Sequence, residues 1–277
     1  MAKVFSHSRL SAFEQCKLKY KFRYIDNIIP DIEKTIESHL GNSVHKTLEW
    51  LYRQVKKKLV PSLDNVIQEY ARNWKEDFED EIPVAKKNMT PGDYFNKGIQ
   101  FLVNYYMKHK PFDDNTIAVE KEILISLDES GNYKIRGFID RLAYNLETLE
   151  YEVHDYKTSN NLPKREDIEK DRQLALYSIA IKEIFGEEKE IILVWHYLAF
   201  DKRIHSRRTN EQLNWLKKET LALIKEIEST KEFPPTKSPL CNWCEYKDIC
   251  PAWGNKPPEK QITLEEYRKM KENRKKK

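Results

Sequence analysis

The sequence is poor in glycine and in cysteine, and it has no long uncharged apolar stretch. With seven glycines in 277 residues and no Gly-x4-Gly-Lys-[Ser/Thr] run, a phosphate-cradling loop is not expected, nor a nucleotide-driven motor within the chain. No window of about 18 apolar residues is free of charge, so no membrane-spanning helix is expected. The opening residues Met1-Ala-Lys-Val-Phe-Ser-His-Ser-Arg carry no apolar core of signal-peptide length, and a cytoplasmic location is the expectation. Net charge is also small: 49 Lys and Arg stand against 45 Asp and Glu, giving +4. That balance permits a nucleic-acid partner without demanding one. Four cysteines in a chain expected in the cytosol point to metal or cluster ligands rather than disulfides. The length suffices for a proper core, as one large domain or two small ones.

What is present centres on an antiparallel hairpin. Its strands are read over Lys134 to Tyr144 and Tyr151 to Thr158, because runs of Ile, Val, Tyr and Phe flank a polar segment from Asn145 to Thr148. A turn centred near Leu146 and Glu147 would set Asp140 beside Val153 and diagonally near Asp155. Alternation places Asp155 and Lys157 on one face, with His154 and Tyr156 on the other. Two carboxylates and an ammonium on one patch are costly to bury unless they bind something, and a divalent cation with oxygen ligands is the natural candidate. The competing reading is a surface hairpin whose charges are solvated or paired.

Around the hairpin, residues 8–25 read as a helix with Leu10, Phe13, Cys16 or Lys17, and Tyr20 at helical spacing. Its basic residues interleave with Tyr20, Phe22 and Tyr24, which suits either a nucleic-acid contact or a solvated face. A second helix carries Val44, Leu48 and Leu51 as its apolar stripe, with His45 at the border. A lone histidine there is more often a packed residue than a ligand. From Lys56 to His109 the chain is helical and polar, interrupted near Pro83 and near Thr90-Pro91-Gly92, and its aromatics recur as packing residues do. A strand over Thr116 to Leu127, a helix over Asp167 to Phe185, a buried strand over Glu190 to Phe200 and a helix over Thr209 to Ser229 complete an α/β core inside a helical shell.

The segment Phe233 to Pro251 is too rich in proline and cysteine for ordinary secondary structure, and the lysine-heavy tail after Trp253 is expected to fray. Cys241-x2-Cys244-x5-Cys250 places three thiols on one loop, and the fourth, Cys16, stands at the other end of the chain. Three ligands call for a fourth, and spacing alone admits an iron–sulfur cluster or a four-cysteine zinc site.

Gly41-xxx-His45, Gly137-x-x-Asp140-Arg141, Asp155-Tyr-Lys157, Gln173-x-x-x-Tyr177 and the one-plus-three cysteines follow one another in this order. In this the chain resembles the RecB-like branch of the PD-(D/E)XK nuclease superfamily, in particular AddB-type nuclease domains and the CRISPR adaptation nucleases that carry an iron–sulfur cluster. The resemblance runs from Ser8 to Pro251. One departure is Lys17 after the first cysteine, where this group often has proline. The resemblance implies a restriction-endonuclease-like α/β core sheet flanked by helices, as a single nuclease domain over residues 1–254. Within it, residues 46–115 would be a helical insertion, 116–200 the core and 233–254 the cysteine-rich cluster loop, followed by a polar basic tail at 255–277.

By the same resemblance His45, Asp140, Asp155 and the backbone carbonyl of Tyr156 would bind Mn²⁺ or Mg²⁺, the imidazole favouring Mn²⁺. Lys157 would orient and help deprotonate the attacking water, with its pKa pushed down by desolvation near the metal. Gln173 and Tyr177 would support that lysine or contact phosphate. Glu120 or Glu122 would stand near the metal at the start of the core sheet, and neither is assigned a role. Cys16, Cys241, Cys244 and Cys250 would hold a structural 4Fe-4S cluster, and the shell it closes would form a channel for single-stranded DNA lined by Lys17, Lys19, Lys21, Arg23 and Arg141. The implied activity is a metal-dependent deoxyribonuclease, an exonuclease acting on single-stranded DNA ends in repair, recombination or replication, with a separate helicase as partner. Alternatives are a CRISPR adaptation nuclease trimming spacer precursors, a non-catalytic DNA-binding scaffold of the same fold, and a zinc-stabilised binding module. The oligomeric state is not readable from the sequence.

Overall fold

A computed structural model of the chain describes residues 2–30, 35–78, 82, 84 and 88–256. The expected interruption at Pro83 and the tail from residue 257 onward lie outside the described residues. The strands are β1 (Lys3–Ser6), β2 (Thr116–Ser126), β3 (Tyr133–Asn145), β4 (Glu150–Lys157), β5 (Ile191–Tyr197) and β6 (Lys202–Ser206). The helices are α1 (His7–Gln15), α2 (Lys17–Tyr20), α3 (Ile36–Lys56), α4 (Leu63–Glu76), α5 (Pro91–His109), α6 (Arg165–Glu169), α7 (Arg172–Phe185) and α8 (Asn210–Ser229). They form two compact units, Met1–His7 with Ile36–Ala222, and Ser8–Thr35 with Leu223–Lys277. Among the described residues no helix is long and apolar enough to cross a membrane.

The first unit holds a six-stranded mixed sheet in the order β1-β3-β4-β5-β6, with β2 paired to the other edge of β3. β5, with all seven residues buried, is the central strand that its apolar run anticipates. β3 is long enough to serve three partners. β2 covers it from Lys134 to Ala143 on one edge, whereas on the opposite edge β1 pairs with Tyr133 to Arg136 and β4 with Arg141 to Asn145. Between them Gly137 to Asp140 have no strand partner on that edge among the described residues, so the sheet opens just where the first acid stands.

Helices α3, α4 and α5 pack together over an aromatic-rich core that includes Leu48, Tyr52, Tyr70, Trp74, Tyr94, Phe101 and Tyr105. Local signals start each helix. Ser62 caps α4 by accepting from the Asn65 amide at 3.2 Å, and Thr90 with Asp93 closes a capping box ahead of Pro91. Asp171 caps α7 through the Leu174 amide at 3.1 Å, which is why the helix expected over 167–185 is two helices rather than one.

The structure corrects other expectations. The hairpin turn occupies Leu146 to Leu149, so Leu142 faces Val153 and Arg141 faces His154. Asp140 therefore falls across from Asp155 rather than beside Val153. The turn is shifted by one residue: Asn145 ends β3 and its side chain accepts from the amides of Glu147 at 2.9 Å and Thr148 at 3.1 Å, while Leu149 closes the turn in a left-handed conformation at φ 58°. Strands β1 and β6 are short, with one buried residue each, too few to give an apolar strand pattern in the sequence.

In the second unit the helix expected over 8–25 is broken at Cys16, which is extended at φ −163° and ψ 112°. The chain resumes as α2 and then as a π-helical turn over Lys21–Ile25. Three 3-10 turns, Pro239–Trp243, Lys247–Ile249 and Pro251–Trp253, make up the cysteine-rich segment. Its anchors are Phe22 against Tyr246, with ring centroids 5.6 Å apart, and the Tyr246 hydroxyl donating to the Ile28 carbonyl at 3.0 Å. The basic side chains of the expected channel are engaged: Lys17 with Glu226 at 2.9 Å, Lys19 with Glu245 at 2.9 Å, Lys21 with Asp26 at 2.5 Å and Arg23 with Glu245 at 3.4 Å. Arg141 belongs to the first unit and is 1% exposed, so it is held in the core of that unit.

Candidate active site

α3 brings Gly41 and His45 to the end of β4. A Cβ on Gly41 would stand 3.3 Å from the Thr158 hydroxyl, so the absence of a side chain there lets the helix lie close to the strand end. One turn later, His45 donates from Nε2 to the Tyr156 carbonyl at 2.7 Å, and its Nδ1 lies 3.3 Å from Asp140 Oδ2. Asp140 also accepts from the Tyr156 amide at 3.0 Å. Burial works against charge on His45. It is outweighed by the hydrogen bond and charge of Asp140, the charge of Asp155 and the Tyr156 carbonyl, so the pKa is raised to about 9. An imidazolium thus stands among the groups suited to a metal, and an ion binding through this ring must release its proton.

Glu120 completes the group. It lies on β2 between Val119, paired with Arg141, and Lys121, paired with Ile139, which sets it opposite Asp140. His45, Glu120 and Asp140 each offer a ligand atom within 4.8 Å of the others. Burial first, then the charges of Asp140 and Glu49, raise the Glu120 pKa to about 7 against the opposing pull of His45 and Arg53. Its backbone is left-handed, with φ 48°, a conformation that a non-glycine residue keeps only when its surroundings enforce it. Glu122 turns instead to Arg136, at 2.6 Å.

Asp155 and Lys157 form the other half. Lys157 Nζ lies 2.7 Å from Asp155 Oδ2 and donates to Gln173 Oε1 at 3.3 Å, and Gln173 in turn donates to the Tyr177 hydroxyl at 3.3 Å. The Tyr177 ring occupies the space over Gly137, where a Cβ would come within 2.4 Å of it. That contact is the physical reason for glycine three residues before Asp140. Burial raises the Asp155 pKa to about 6, with Lys157 opposing the shift and Asp140 adding to it. For Lys157 burial favours the neutral amine, but the charge and hydrogen bond of Asp155, then Asp171 and Asp140, prevail and raise its pKa. These carboxylates hold it as an ammonium, and the depressed lysine pKa remains an expectation for the site with a metal beside it.

The structure brings together His45, Asp140, Asp155, the Tyr156 carbonyl, Lys157, Gln173 and Tyr177, all at the opening between β3 and β4. Of the two glutamates expected near the metal, it brings Glu120 to the group and leaves Glu122 paired with Arg136. In the second unit, Cys16, Cys241, Cys244 and Cys250 line one cavity and all are free thiols. The amide of Thr236 donates to Cys16 Sγ and that of Ser238 to Cys241 Sγ, each at 3.4 Å.

No curated protein matches the chain. It is similar to the crystal structure of SSO0001, at 18% identity and a TM-score of 0.38, over 88% of this chain and 95% of that one. It is also similar to the crystal structure of a protein named "Putative exonuclease" from Eubacterium rectale, at 14% identity and a TM-score of 0.46, over 86% of each. The family model of the PD-(D/E)XK nuclease superfamily matches residues 4–251. That match spans every residue of the acidic site and all four cysteines, and the chain belongs to the PD-(D/E)XK nuclease superfamily.

Proposed function

We propose that the chain is a RecB-like, Mn²⁺- or Mg²⁺-dependent deoxyribonuclease that hydrolyses phosphodiester bonds from single-stranded DNA ends. The observation that carries the reading is the convergence of His45, Glu120, Asp140 and Asp155 with the Lys157–Gln173–Tyr177 chain at the opening of the sheet. The donor set fits a divalent ion: one imidazole, carboxylates and, in the Tyr156 backbone, a carbonyl, a mixture that suits Mn²⁺ better than Mg²⁺. When bound, such an ion makes water nucleophilic at neutral pH and absorbs charge on the phosphate.

The protein's own groups do the rest. His45, Glu120, Asp140 and Asp155 supply ligands, and His45 yields its ring proton to do so. Lys157, held by Gln173 and indirectly by Tyr177, orients the attacking water and opposes negative charge on the phosphate as an ammonium. It acts as a base only once another cation has taken over its carboxylate partners. The four cysteines hold a 4Fe-4S cluster that fastens Cys16 to the loop carrying the other three. The two amide–sulfur hydrogen bonds support it. So does the place of all four cysteines around one cavity. A separate helicase would supply the unwound strand in repair, recombination or replication.

The test is incubation of the purified protein with end-labelled single- and double-stranded DNA in Mn²⁺, Mg²⁺ or EDTA. Shortening of the single strand with metal and none with EDTA is expected. Intact DNA throughout, or cleavage that survives EDTA, contradicts the reading.

A further inference from the structure

β3 leaves the site as a strictly alternating strand, with Ile135, Gly137 and Ile139 buried and Arg136 and Phe138 exposed. The exposed face continues onto both neighbouring strands. Leu124 of β2 stands across from Arg136 and Glu122 across from Phe138, while Val4 of β1 stands across from Lys134. Phe138 is 45% exposed, Leu124 51% and Val4 43%. Lone exposed apolar side chains are ordinary, but three on one stretch of sheet form a surface. Within it the Arg136 guanidinium lies 5.6 Å from the Phe138 ring centroid. The ion pair with Glu122 at 2.6 Å holds that plane beside the ring. Phe138 precedes Asp140 by two residues, about 6.8 Å along a strand, and alternation sends both side chains to the same side.

We propose that Phe138 and Arg136 form a stacking platform for an unpaired base of the substrate, the one next to the phosphate being cleaved. The inference rests on the nuclease reading and adds to it a subsite for one base of a strand whose bases are free to leave their stack. An aromatic ring and a guanidinium plane each accept the π-face of any base, so the platform is tolerant of sequence. A base inside a duplex has its faces covered and must be unpaired before it can stack here. Lys134, on the same face, adds positive charge for the backbone, while Leu124 and Val4 give the base edges and sugars an apolar bed.

The test uses the full chain carrying Asp155→Asn, so that DNA is bound but not consumed, and follows anisotropy of a labelled oligo-dT and of a blunt duplex in Mg²⁺. Phe138→Ala should weaken oligo-dT binding about tenfold, as loss of one base–aromatic stack does. It should leave duplex binding and the melting temperature unchanged, and Phe138→Trp should restore binding. Equal oligo-dT affinity for wild type and Phe138→Ala, or equal loss on both DNAs, overturns the platform. So does sedimentation showing that wild type self-associates and Phe138→Ala does not, which would make the face an interface between copies. A wild-type protein that cuts single strands while Phe138→Ala binds them normally defeats the platform alone. One that neither binds nor cuts DNA defeats the nuclease reading as well.

Discussion

The Tyr156 hydroxyl accepts a hydrogen bond from Arg141 Nε at 3.2 Å, while the backbone of the same tyrosine meets His45 and Asp140. Arg141 is thus the hub of a buried polar cluster beside the acidic site. Its Nη1 pairs with Asp114 and with Thr116 Oγ1, its Nη2 lies 3.0 Å from His154 Nδ1, and its plane lies 4.2 Å from the Tyr52 ring centroid.

Removing this guanidinium strands several polar groups in the core. Arg141→Met should cost about 2–4 kcal/mol of stability, and Arg141→Lys should recover only part because an ammonium cannot make the fork. Urea denaturation checks it. An unchanged midpoint together with lost DNA binding would return Arg141 to the role of a channel residue.

Metal affinity should follow ligand geometry. His45→Ala and Glu120→Gln should each weaken Mn²⁺ binding by about tenfold or more, the scale of disturbed coordination, while Glu122→Gln should not. Mn²⁺ titration by calorimetry or electron spin resonance decides, and equal effects of the two glutamates would remove Glu120 from the site.

Proton release fixes the pH dependence. With the His45 pKa raised to about 9, the ring carries its proton at neutral pH, and each ion bound through it expels that proton. Apparent Mn²⁺ affinity should therefore rise about tenfold per pH unit between about pH 7 and 8.5, then flatten above 9. Calorimetry in buffers of different ionisation enthalpy reads the released proton directly, and an affinity independent of pH would contradict the imidazole ligand.

The cysteines make a colour prediction. Anaerobically purified protein should be brown with about four irons per chain, and Cys16→Ala should lower the melting temperature and open residues 233–253 to proteases. Colourless protein with stoichiometric zinc would contradict the cluster.

The readable part of the site is the part that repeats or alternates. Asp155 and Lys157 declare themselves because charges two apart in an apolar strand share a face, and Gly137 because a glycine in a strand marks a close approach, here by Tyr177. Glu120 is readable only as one of two candidates with Glu122, since what decides between them is a left-handed backbone at φ 48° that glutamate does not advertise. Arg141 misleads for a related reason. An arginine after an acid reads as surface, and its burial is decided by Tyr52 of α3, Asp114 of the loop before β2, and His154 and Tyr156 of β4, three separate places in the chain. The hairpin register misses because one leucine, Leu149, enters the turn where propensity alone would end it at Thr148.

The central claim is that phosphodiester cleavage occurs where Asp155 holds Lys157 beside the His45–Glu120–Asp140 group. Its most direct test is the single-turnover rate of Mn²⁺-dependent cleavage of end-labelled single-stranded DNA by wild type, Asp155→Asn and Lys157→Ala, with circular dichroism and DNA binding measured on the same preparations. The account predicts that both variants fold and bind DNA but cut it at least about 100-fold more slowly, as when a group needed for proton transfer is removed. Cleavage by either variant near the wild-type rate would contradict it.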